Sequence, residues 1–160
     1  MIHKQFTQFE RVINIDLPRG KSAFLWGPRK VGKSFWLKQN FPKVIVIDLL
    51  KSDIFAEYAA RPSLLRERYL QEDASSTLII IDEIQSVPTL LNEVHWMIEN
   101  GNNAFILTGS SARKLRKGHA NLLGGRAWRY VMLPLCYPEI KDFKGYTLKD
   151  IFQKGLIPSH

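Results

Sequence analysis

Short apolar runs, each bounded by glycine, proline or polar residues, recur along the chain and alternate with amphipathic stretches. Five of these runs have the length and continuous hydrophobicity of strands that helices cover on both faces. The predicted strands are residues 23–26, 44–48, 78–82, 104–108 and 129–133. Strands that alternate with helices predict an α/β fold with a mainly parallel sheet.

The stretches between these strands have the spacing of helices. The clearest predicted helix covers residues 89–100, where apolar residues recur every three or four positions on one face. Pro88 lies at its start and Gly101 just past its end, which are the usual places of these residue types. Two shorter helices are predicted at 53–60 and 63–70.

A complete G-x-x-x-x-G-K-[ST] phosphate-binding loop separates the first strand from the next helical stretch. Its residues are Gly27, Pro28, Arg29, Lys30, Val31, Gly32, Lys33 and Ser34. Backbone N–H groups of such a loop form a nest for phosphate oxygens, Lys33 reaches the β- and γ-phosphates, and Ser34 ligates Mg²⁺. We expect the whole loop, together with Phe35 at the start of the helix, to bind the nucleotide. A chance glycine- and lysine-rich turn is the weaker interpretation, because the flanking strand and helix fit the motif.

A second motif lies at the end of the strand at 78–82. The strand ends in Asp82, and Glu83 follows directly. The carboxyl ends of parallel strands meet at one edge of a sheet, and the phosphate loop leaves from that edge. Asp82 is therefore predicted to hold Mg²⁺, directly or through water, and Glu83 to polarise the attacking water. Taken alone, Asp82 could cap a turn and Glu83 could lie on the surface. Combined with the loop, the pair predicts hydrolysis of a nucleoside triphosphate.

Hydroxyl side chains lie at and just after the end of the strand at 104–108, in the segment Thr108-Gly109-Ser110-Ser111. Thr108 is predicted to contact the γ-phosphate or to position the lytic water, because it ends a strand that flanks the loop. Ser110 is open to the same role, and its alternative is to cap the basic helix that follows.

Two arginines are candidates for stabilising the charge of the transition state. Arg126 follows the glycine pair at 124–125, and Arg113 lies in the basic run at 113–117. An arginine that reaches the nucleotide of a neighbouring subunit accelerates phosphoryl transfer by about 10³ to 10⁵. An ordinary surface position or an ion pair is an equal alternative for Arg126. Arg29, inside the loop, is expected to clamp acidic groups that keep the loop in shape.

The tryptophans could stack on nucleotide bases, but the sequence favours packing roles for most of them. Trp36, Trp96 and Trp128 are predicted to pack in the core or against a partner, since large aromatic residues are mostly buried. Trp26 stands immediately before the phosphate loop. Its fluorescence is expected to report nucleotide binding without a direct contact.

Charge and composition restrict the protein's location and partners. The net charge of +8 allows a polyanionic partner, although a nucleotide pocket itself needs cations. The basic run at 113–117 is either a solvated helix face or a nucleic-acid contact. No segment has the roughly 18 apolar residues of a membrane helix, no signal peptide is evident, and Cys136 is the sole cysteine. We expect one cytoplasmic domain, residues 1–160, without disulfides or a membrane partner.

The order of the motifs narrows the class of protein further. The segments concerned are Phe24-Leu25-Trp26-Gly27-Pro28-Arg29, Ile81-Asp82-Glu83-Ile84-Gln85-Ser86-Val87-Pro88, Leu107-Thr108-Gly109-Ser110-Ser111, Leu122-Leu123-Gly124-Gly125-Arg126 and Pro134-Leu135. In this order they resemble the predicted prokaryotic ATPases of the AAA+ superfamily. The likeness extends from about residue 9 to the end of the chain.

The resemblance implies a P-loop NTPase three-layer sandwich with a five-stranded parallel sheet. An extra strand then separates the loop strand from the strand that ends in Asp82 and Glu83. The resemblance also implies Mg²⁺ and ATP as the ligands. Longer family members continue past the equivalent of 155–160 into helices and a C-terminal domain of unknown function. We therefore expect an N-terminal ATPase core without the helical lid, with weak turnover by itself.

Three functions are compatible with these motifs. The leading one is Mg-dependent ATP hydrolysis by a switch or motor core, in a homo-oligomer if Arg126 acts in trans. One alternative is a small P-loop kinase that transfers phosphate to a metabolite and uses 124–126 as a phosphate-gripping lid. The other alternative is a nucleic-acid-binding module that nucleotide regulates. A guanine-specific switch is disfavoured because the chain has no Asn-Lys-x-Asp segment.

Overall fold

The computed structural model describes residues 10–18, 21–70, 77–110, 122–140, 147 and 149. Within these residues one sheet contains the strands β1 (Ser22–Trp26), β2 (Ile45–Asp48), β3 (Thr77–Asp82), β4 (Asn103–Gly109) and β5 (Ala127–Val131). The strands lie in the order β2-β3-β4-β1-β5, and every neighbouring pair is parallel. The predicted α/β fold with a parallel sheet is confirmed.

The helices of the described part follow the amphipathic stretches. They are α1 (Lys33–Asn40), α2 (Ser52–Ala60), α3 (Leu64–Tyr69), α4 (Leu90–Asn100) and α5 (Tyr137–Ile140), with short 3₁₀ helices at Ile84–Ser86 and Leu122–Gly125. The ends of the predicted helices agree with these bounds to within about two residues, the usual uncertainty of a helix end. Local spacing was therefore sufficient to locate them.

Helices cover both faces of the sheet. On one face, Leu65 of α3 and Met97 of α4 belong to a hydrophobic cluster with Phe105 of β4. On the other face, Trp36 of α1 lies in a cluster with Ile106 of the same strand. Successive side chains of a strand point to opposite faces, so β4 contributes to both clusters. The result is a three-layer sandwich.

The order of the strands determines which segments meet at the functional edge. The extra strand that the resemblance implies is β4, which lies between β1 and β3. In register, Trp26 pairs with Gly109, and Asp48 pairs with Asp82. The ends of β1, β2, β3 and β4 therefore meet at one side, which we call the carboxyl edge. Every residue of β1 and β4 is buried, as expected for strands that are covered on both faces.

The edge strand β5 differs from its prediction. It begins at Ala127 and ends at Val131, two residues earlier than the apolar run at 129–133. Met132 leaves the ladder, and its N–H donates to the carbonyl oxygen of Trp26 at 2.7 Å. Hydrophobicity alone cannot fix the ends of a strand that has a partner on one side only.

The tryptophans divide into two groups. Trp36 is buried in the core as predicted. Trp96 and Trp128 are 43% and 55% exposed, so the prediction of core packing is wrong for both. Packing against a partner stays a prediction for these two residues.

Some predictions concern features that the described residues do not test. Ser111, Arg113 and the basic run at 113–117 lie outside the described residues. Among the helices that are described, none combines the length and the apolar character needed to cross a membrane. The cytoplasmic location stays a prediction.

Candidate functional site

The phosphate loop begins directly after β1 and ends at the first turn of α1. Lys30 and Gly32 have φ angles of 66° and 92°, so the loop passes twice through the left-handed region, which Gly32 adopts without strain. Gly27 is required for a different reason. A Cβ at Gly27 would lie 2.3 Å from the carbonyl oxygen of Met132. Both glycines of the motif thus have a structural cause in this fold.

The amino end of α1 presents backbone N–H groups next to the loop. The helix begins at Lys33, and its N-cap residue, Gly32, has no side chain that could accept the N–H groups of the first turn. The first N–H groups of a helix lack intrahelical partners and carry the positive end of the helix dipole. Ser34 and Phe35 in this first turn are exposed. This end of α1 therefore has the chemistry of an anion-binding site.

Lys33 is a buried cation inside the loop. Its Nζ donates to the carbonyl oxygens of Gly27 at 2.7 Å and Pro28 at 2.9 Å. Burial lowers the pKa of the Lys33 ammonium, and the nearby carboxylates of Glu83 and Asp82 partly offset that shift. The electrostatic effect of both carboxylates on Lys33 agrees with the predicted meeting of the loop and the acidic motif at one edge.

A chain of hydrogen bonds joins the loop to the ends of β3 and β4. The Ser34 hydroxyl donates to Asp82 Oδ2 at 2.6 Å, and the Thr108 hydroxyl donates to Asp82 Oδ1. The same Thr108 oxygen accepts the backbone N–H of Glu83 at 3.2 Å. Asp82, Glu83 and Thr108 are all buried. The structure thus brings four of the predicted site residues into one network.

Glu83 has an unusual local conformation. Its backbone is left-handed, with φ 59° and ψ 48°, which costs about 1–3 kcal/mol for a residue other than glycine. The Gln85 side-chain amide donates to the Glu83 carboxylate and to Ser110 Oγ, the latter at 3.4 Å. Sequence reasoning assigned Gln85 no role, although it stands in the acidic motif. Gln85 therefore links Ser110 to the Glu83 carboxylate, which is predicted to be the base.

Arg126 lies away from this network. It immediately precedes β5, whose first residue, Ala127, pairs in register with Ser22 at the start of β1. About five residues of strand, at about 3.3 Å each, therefore separate Arg126 from the loop of its own chain. Its guanidinium forms an ion pair with Glu99 of α4. A role in the site of a neighbouring subunit stays a prediction.

The remaining residues of the loop differ in exposure. Pro28, Arg29 and Lys30 face solvent, and Val31 is buried. The charge of Arg29 contributes to lowering the pKa of Lys33, after the larger effects of burial and of the two carboxylates. The predicted clamp of Arg29 on acidic groups stays a prediction.

Sequence reasoning missed a buried ion pair that supports the loop. Arg11 Nε lies 2.9 Å from Glu139 Oε1, and the same guanidinium donates to the carbonyl oxygen of Val31 at 2.6 Å. The partners are 128 positions apart in the chain, and neither belongs to a motif. No signal in a single sequence could have paired them.

The oxygen atoms at the carboxyl edge fit Mg²⁺. Proteins usually bind this ion through one or two carboxylates together with substrate phosphates, and it retains several waters. Ser34 and Asp82 supply a hydroxyl and a carboxylate that already contact each other. Within the described ranges, no group of three or more His, Cys, Asp or Glu side chains could hold a metal ion.

The parallel sheet, the phosphate loop and the acidic strand end define a P-loop nucleotide-binding protein of ATPase type. A family model described as an AAA domain matches residues 19–141. The chain therefore belongs to the AAA domain family, and the predicted resemblance to AAA+ ATPases is confirmed.

Individual relatives add less information. The uncharacterized protein MJ1544 of Methanocaldococcus jannaschii is 32% identical over 152 residues, which are 92% of this chain and 34% of that protein. The chain thus spans about a third of the length of this relative.

Two solved structures of Aeropyrum pernix proteins are similar to this chain. One is the ORC1 protein in complex with DNA, with a TM-score of 0.48 and 13% identity, covering 84% of this chain and 44% of that chain. The other is the ORC2 protein in ADPNP–ADP complexes, with a TM-score of 0.48 and 12% identity, covering 76% of this chain and 44% of that chain. Scores and identities this low carry no information about function.

Proposed function

We propose that the chain binds ATP together with Mg²⁺ and hydrolyses it to ADP and phosphate. One observation carries the proposal, namely the hydrogen-bond network that links Ser34, Asp82, Thr108 and Glu83 beside Lys33. The network lies at the carboxyl edge of a parallel sheet, where this class of fold binds its ligands. It combines a cation, a hydroxyl–carboxylate pair and a second carboxylate in one place.

Binding of the triphosphate depends on the loop and on Lys33. The loop amides and the amino end of α1 are donors for phosphate oxygens. The Lys33 ammonium has three N–H donors, and the carbonyls of Gly27 and Pro28 use two of them. Within the part of the chain that the structure describes, these two carbonyls are the partners of the ammonium, and we propose that its third donor binds a phosphate oxygen. Removal of Lys33 therefore takes away both a charge and a directed hydrogen bond.

Ser34 and Asp82 are the proposed holders of Mg²⁺, which supplies neutralisation of the charge on the β- and γ-phosphate oxygens. The Ser34 hydroxyl donates its only proton to Asp82. Its oxygen lone pairs consequently stay free to ligate a metal. Asp82 is held by hydroxyls on both sides, which fixes the direction of its carboxylate.

Glu83 is the proposed general base. Its carboxylate accepts a hydrogen bond from the attacking water, whose oxygen forms a bond to the γ-phosphorus as the bond to the bridging oxygen breaks. ADP leaves, and the proton of the water passes through Glu83 to solvent. Such catalysis contributes about 10² to 10⁴ in rate. The bond from the Glu83 N–H to Thr108 fixes the backbone that carries this base.

The test compares the wild-type protein with the Glu83→Gln and Lys33→Ala variants. Calorimetry with ATP and Mg²⁺ measures binding, and release of phosphate measures turnover. Glu83→Gln is expected to retain binding and to lose at least about 10²-fold in turnover. Lys33→Ala is expected to lose binding. The matched control is Glu67→Gln, at an exposed ion pair with Arg61.

Two outcomes would contradict the proposal. Undiminished turnover in Glu83→Gln would remove the assignment of the base. Unchanged ATP affinity in Lys33→Ala would remove the assignment of the binding site. The Glu67→Gln control should match the wild-type protein in both measurements.

The alternative function of a small kinase receives no comparable support. In a small kinase, 124–126 would have to close over the phosphates, yet Arg126 precedes the amino end of β5 and pairs with Glu99. The same turnover assay discriminates between the two enzymes. Release of ADP that requires an added metabolite acceptor would favour the kinase. Release of ADP and phosphate with water as the sole acceptor favours the ATPase.

A further inference from the structure

The buried pair Arg11–Glu139 contacts the phosphate loop from outside. Three N–H donors of the Arg11 guanidinium are used, by Glu139 Oε1, by the carbonyl oxygen of Val31 and by the carbonyl oxygen of Leu133. We propose that Arg11 and Glu139 are positioning residues that hold the phosphate loop in its anion-binding shape. This inference rests on the proposed function.

The bond to Val31 fixes the orientation of a peptide group inside the loop. The C=O of Val31 and the N–H of Gly32 belong to the same planar trans peptide, so they point in opposite directions. Arg11 holds the carbonyl on the outer side at 2.6 Å. The Gly32 N–H must then point toward the inside of the loop, where a phosphate oxygen binds. A charged donor on the carbonyl also polarises the peptide and strengthens this N–H as a donor.

Glu139 keeps the guanidinium in place. Its Oε1 accepts the backbone N–H of Val12 at 2.9 Å, and its Oε2 accepts that of Cys136 at 2.9 Å. The side chains of Arg11 and Glu139 are 8% and 3% exposed, so most of their surface is removed from water. The pair is neutral as a unit. We therefore assign Arg11 the role of orienting the loop, whereas Lys33 supplies the positive charge that attracts phosphate.

Met132, which follows β5, contacts the beginning of the loop. The N–H of Met132 donates to the carbonyl of Trp26, and the carbonyl oxygen of Met132 occupies the space where Gly27 would carry a side chain. The loop is thus held at its first glycine by Met132 and near its second by Arg11. Its shape depends on contacts that lie outside the sequence motif.

The experiment separates positioning from simple stability. A buried ion pair that loses one partner destabilises a protein strongly, whereas replacing both partners by apolar residues is often neutral. The variants are therefore Arg11→Met, the double variant Arg11→Met with Glu139→Met, and Arg11→Lys. The control is Arg61→Met, at an exposed ion pair on the connection between α2 and α3. Thermal unfolding without nucleotide, calorimetry with ATP and Mg²⁺, and kcat and KM are measured for each.

Arg11→Met is expected to lower the unfolding temperature, and the double variant is expected to recover most of it. ATP affinity should nevertheless stay at least about tenfold weaker in the double variant, the loss that follows removal of a hydrogen bond from a charged donor. Because the amide contacts phosphate before and during the reaction, KM should rise more than kcat falls. Arg11→Lys keeps the charge but lacks the planar fork, so it should not restore affinity.

Recovery of full ATP affinity together with stability in the double variant would overturn the inference, since the pair would then be purely structural. Full affinity in Arg11→Lys would overturn it too, because charge alone would suffice. Both results leave the proposed function intact. Absence of ATP binding by the wild-type protein would instead contradict the proposed function, on which the inference depends.

Discussion

The carboxyl edge of the sheet and the outer surface of the helices place their charged residues in opposite environments. At the edge, Lys33, Asp82 and Glu83 are buried. Lys33 donates to carbonyl oxygens of the loop, and Thr108 links Asp82 to the backbone of Glu83. On the helices, pairs such as Arg68–Glu57 are partly exposed and bridge neighbouring elements. Burial of charged groups costs free energy, whereas exposed pairs contribute little in either direction. The carboxyl edge is therefore the region where charged groups lower the stability of the fold, as expected of a functional site.

The local backbone supports the same conclusion. Glu83 keeps a left-handed conformation, and burial of Lys33 lowers the pKa of its ammonium. Neither feature benefits an empty protein, and both are expected of a site that is organised before its ligand arrives. Substitutions at the edge should therefore change activity much more than substitutions on the helices.

The largest effect is expected at Asp82. Asp82→Asn keeps the size of the side chain but removes the negative charge, so Mg-dependent turnover should fall by at least about 10²-fold. Phosphate release over a titration of Mg²⁺ measures the effect. Asp48 is a matched control, because it ends β2 in register with Asp82 and accepts the backbone N–H of Leu50. Asp48→Asn should retain turnover, and an equal loss in both variants would contradict a specific role for Asp82.

A smaller effect is expected at Thr108. Thr108→Val keeps the shape but leaves the Glu83 N–H without its acceptor and Asp82 without one donor. Loss of a partner by a buried polar group costs about 1–3 kcal/mol, so the free energy of unfolding should fall by about that amount. Turnover should fall as well, because the backbone of the base is no longer fixed. Denaturant unfolding checks the first result, and Thr108→Ser should recover most of it.

A pH-dependent effect is expected at Glu139. Burial by itself would raise the pKa of this carboxyl, but hydrogen bonds from Cys136, Val12 and Arg11 outweigh it and hold the pKa below its ordinary value of 4.5. A lowered carboxyl pKa contributes stability that is complete above the ordinary value and is lost as the pH falls through the folded value. Between about pH 5 and pH 2, the wild-type unfolding free energy should therefore fall more steeply than that of Glu139→Gln. Parallel curves would contradict this.

The smallest effect is expected on the helix surface. Arg68→Gln breaks the ion pair with Glu57 and removes the cation from the face of the Tyr58 ring. Because the ion pair is partly exposed and such pairs contribute little, the unfolding temperature and the ATP affinity should match those of the wild-type protein. A loss of affinity comparable to that of the loop variants would remove the contrast between the two regions.

The sequence predicted the parts of this molecule that local rules control. Apolar runs located the strands, and the rule that parallel strands end at one edge brought Ser34, Asp82 and Thr108 together. The Arg11–Glu139 pair could not be predicted, because long-range contacts between isolated residues leave no local pattern. The ends of β5 were displaced for a related reason, since pairing with β1 fixes them.

The most direct test of the central claim is a crystal structure of the Glu83→Gln variant with ATP and Mg²⁺. We expect a triphosphate in the loop, with Lys33 on its oxygens, Ser34 on the metal and Asp82 beside it. An empty loop at saturating ATP, or a nucleotide bound at another surface with Ser34 still isolated from any metal, would contradict it.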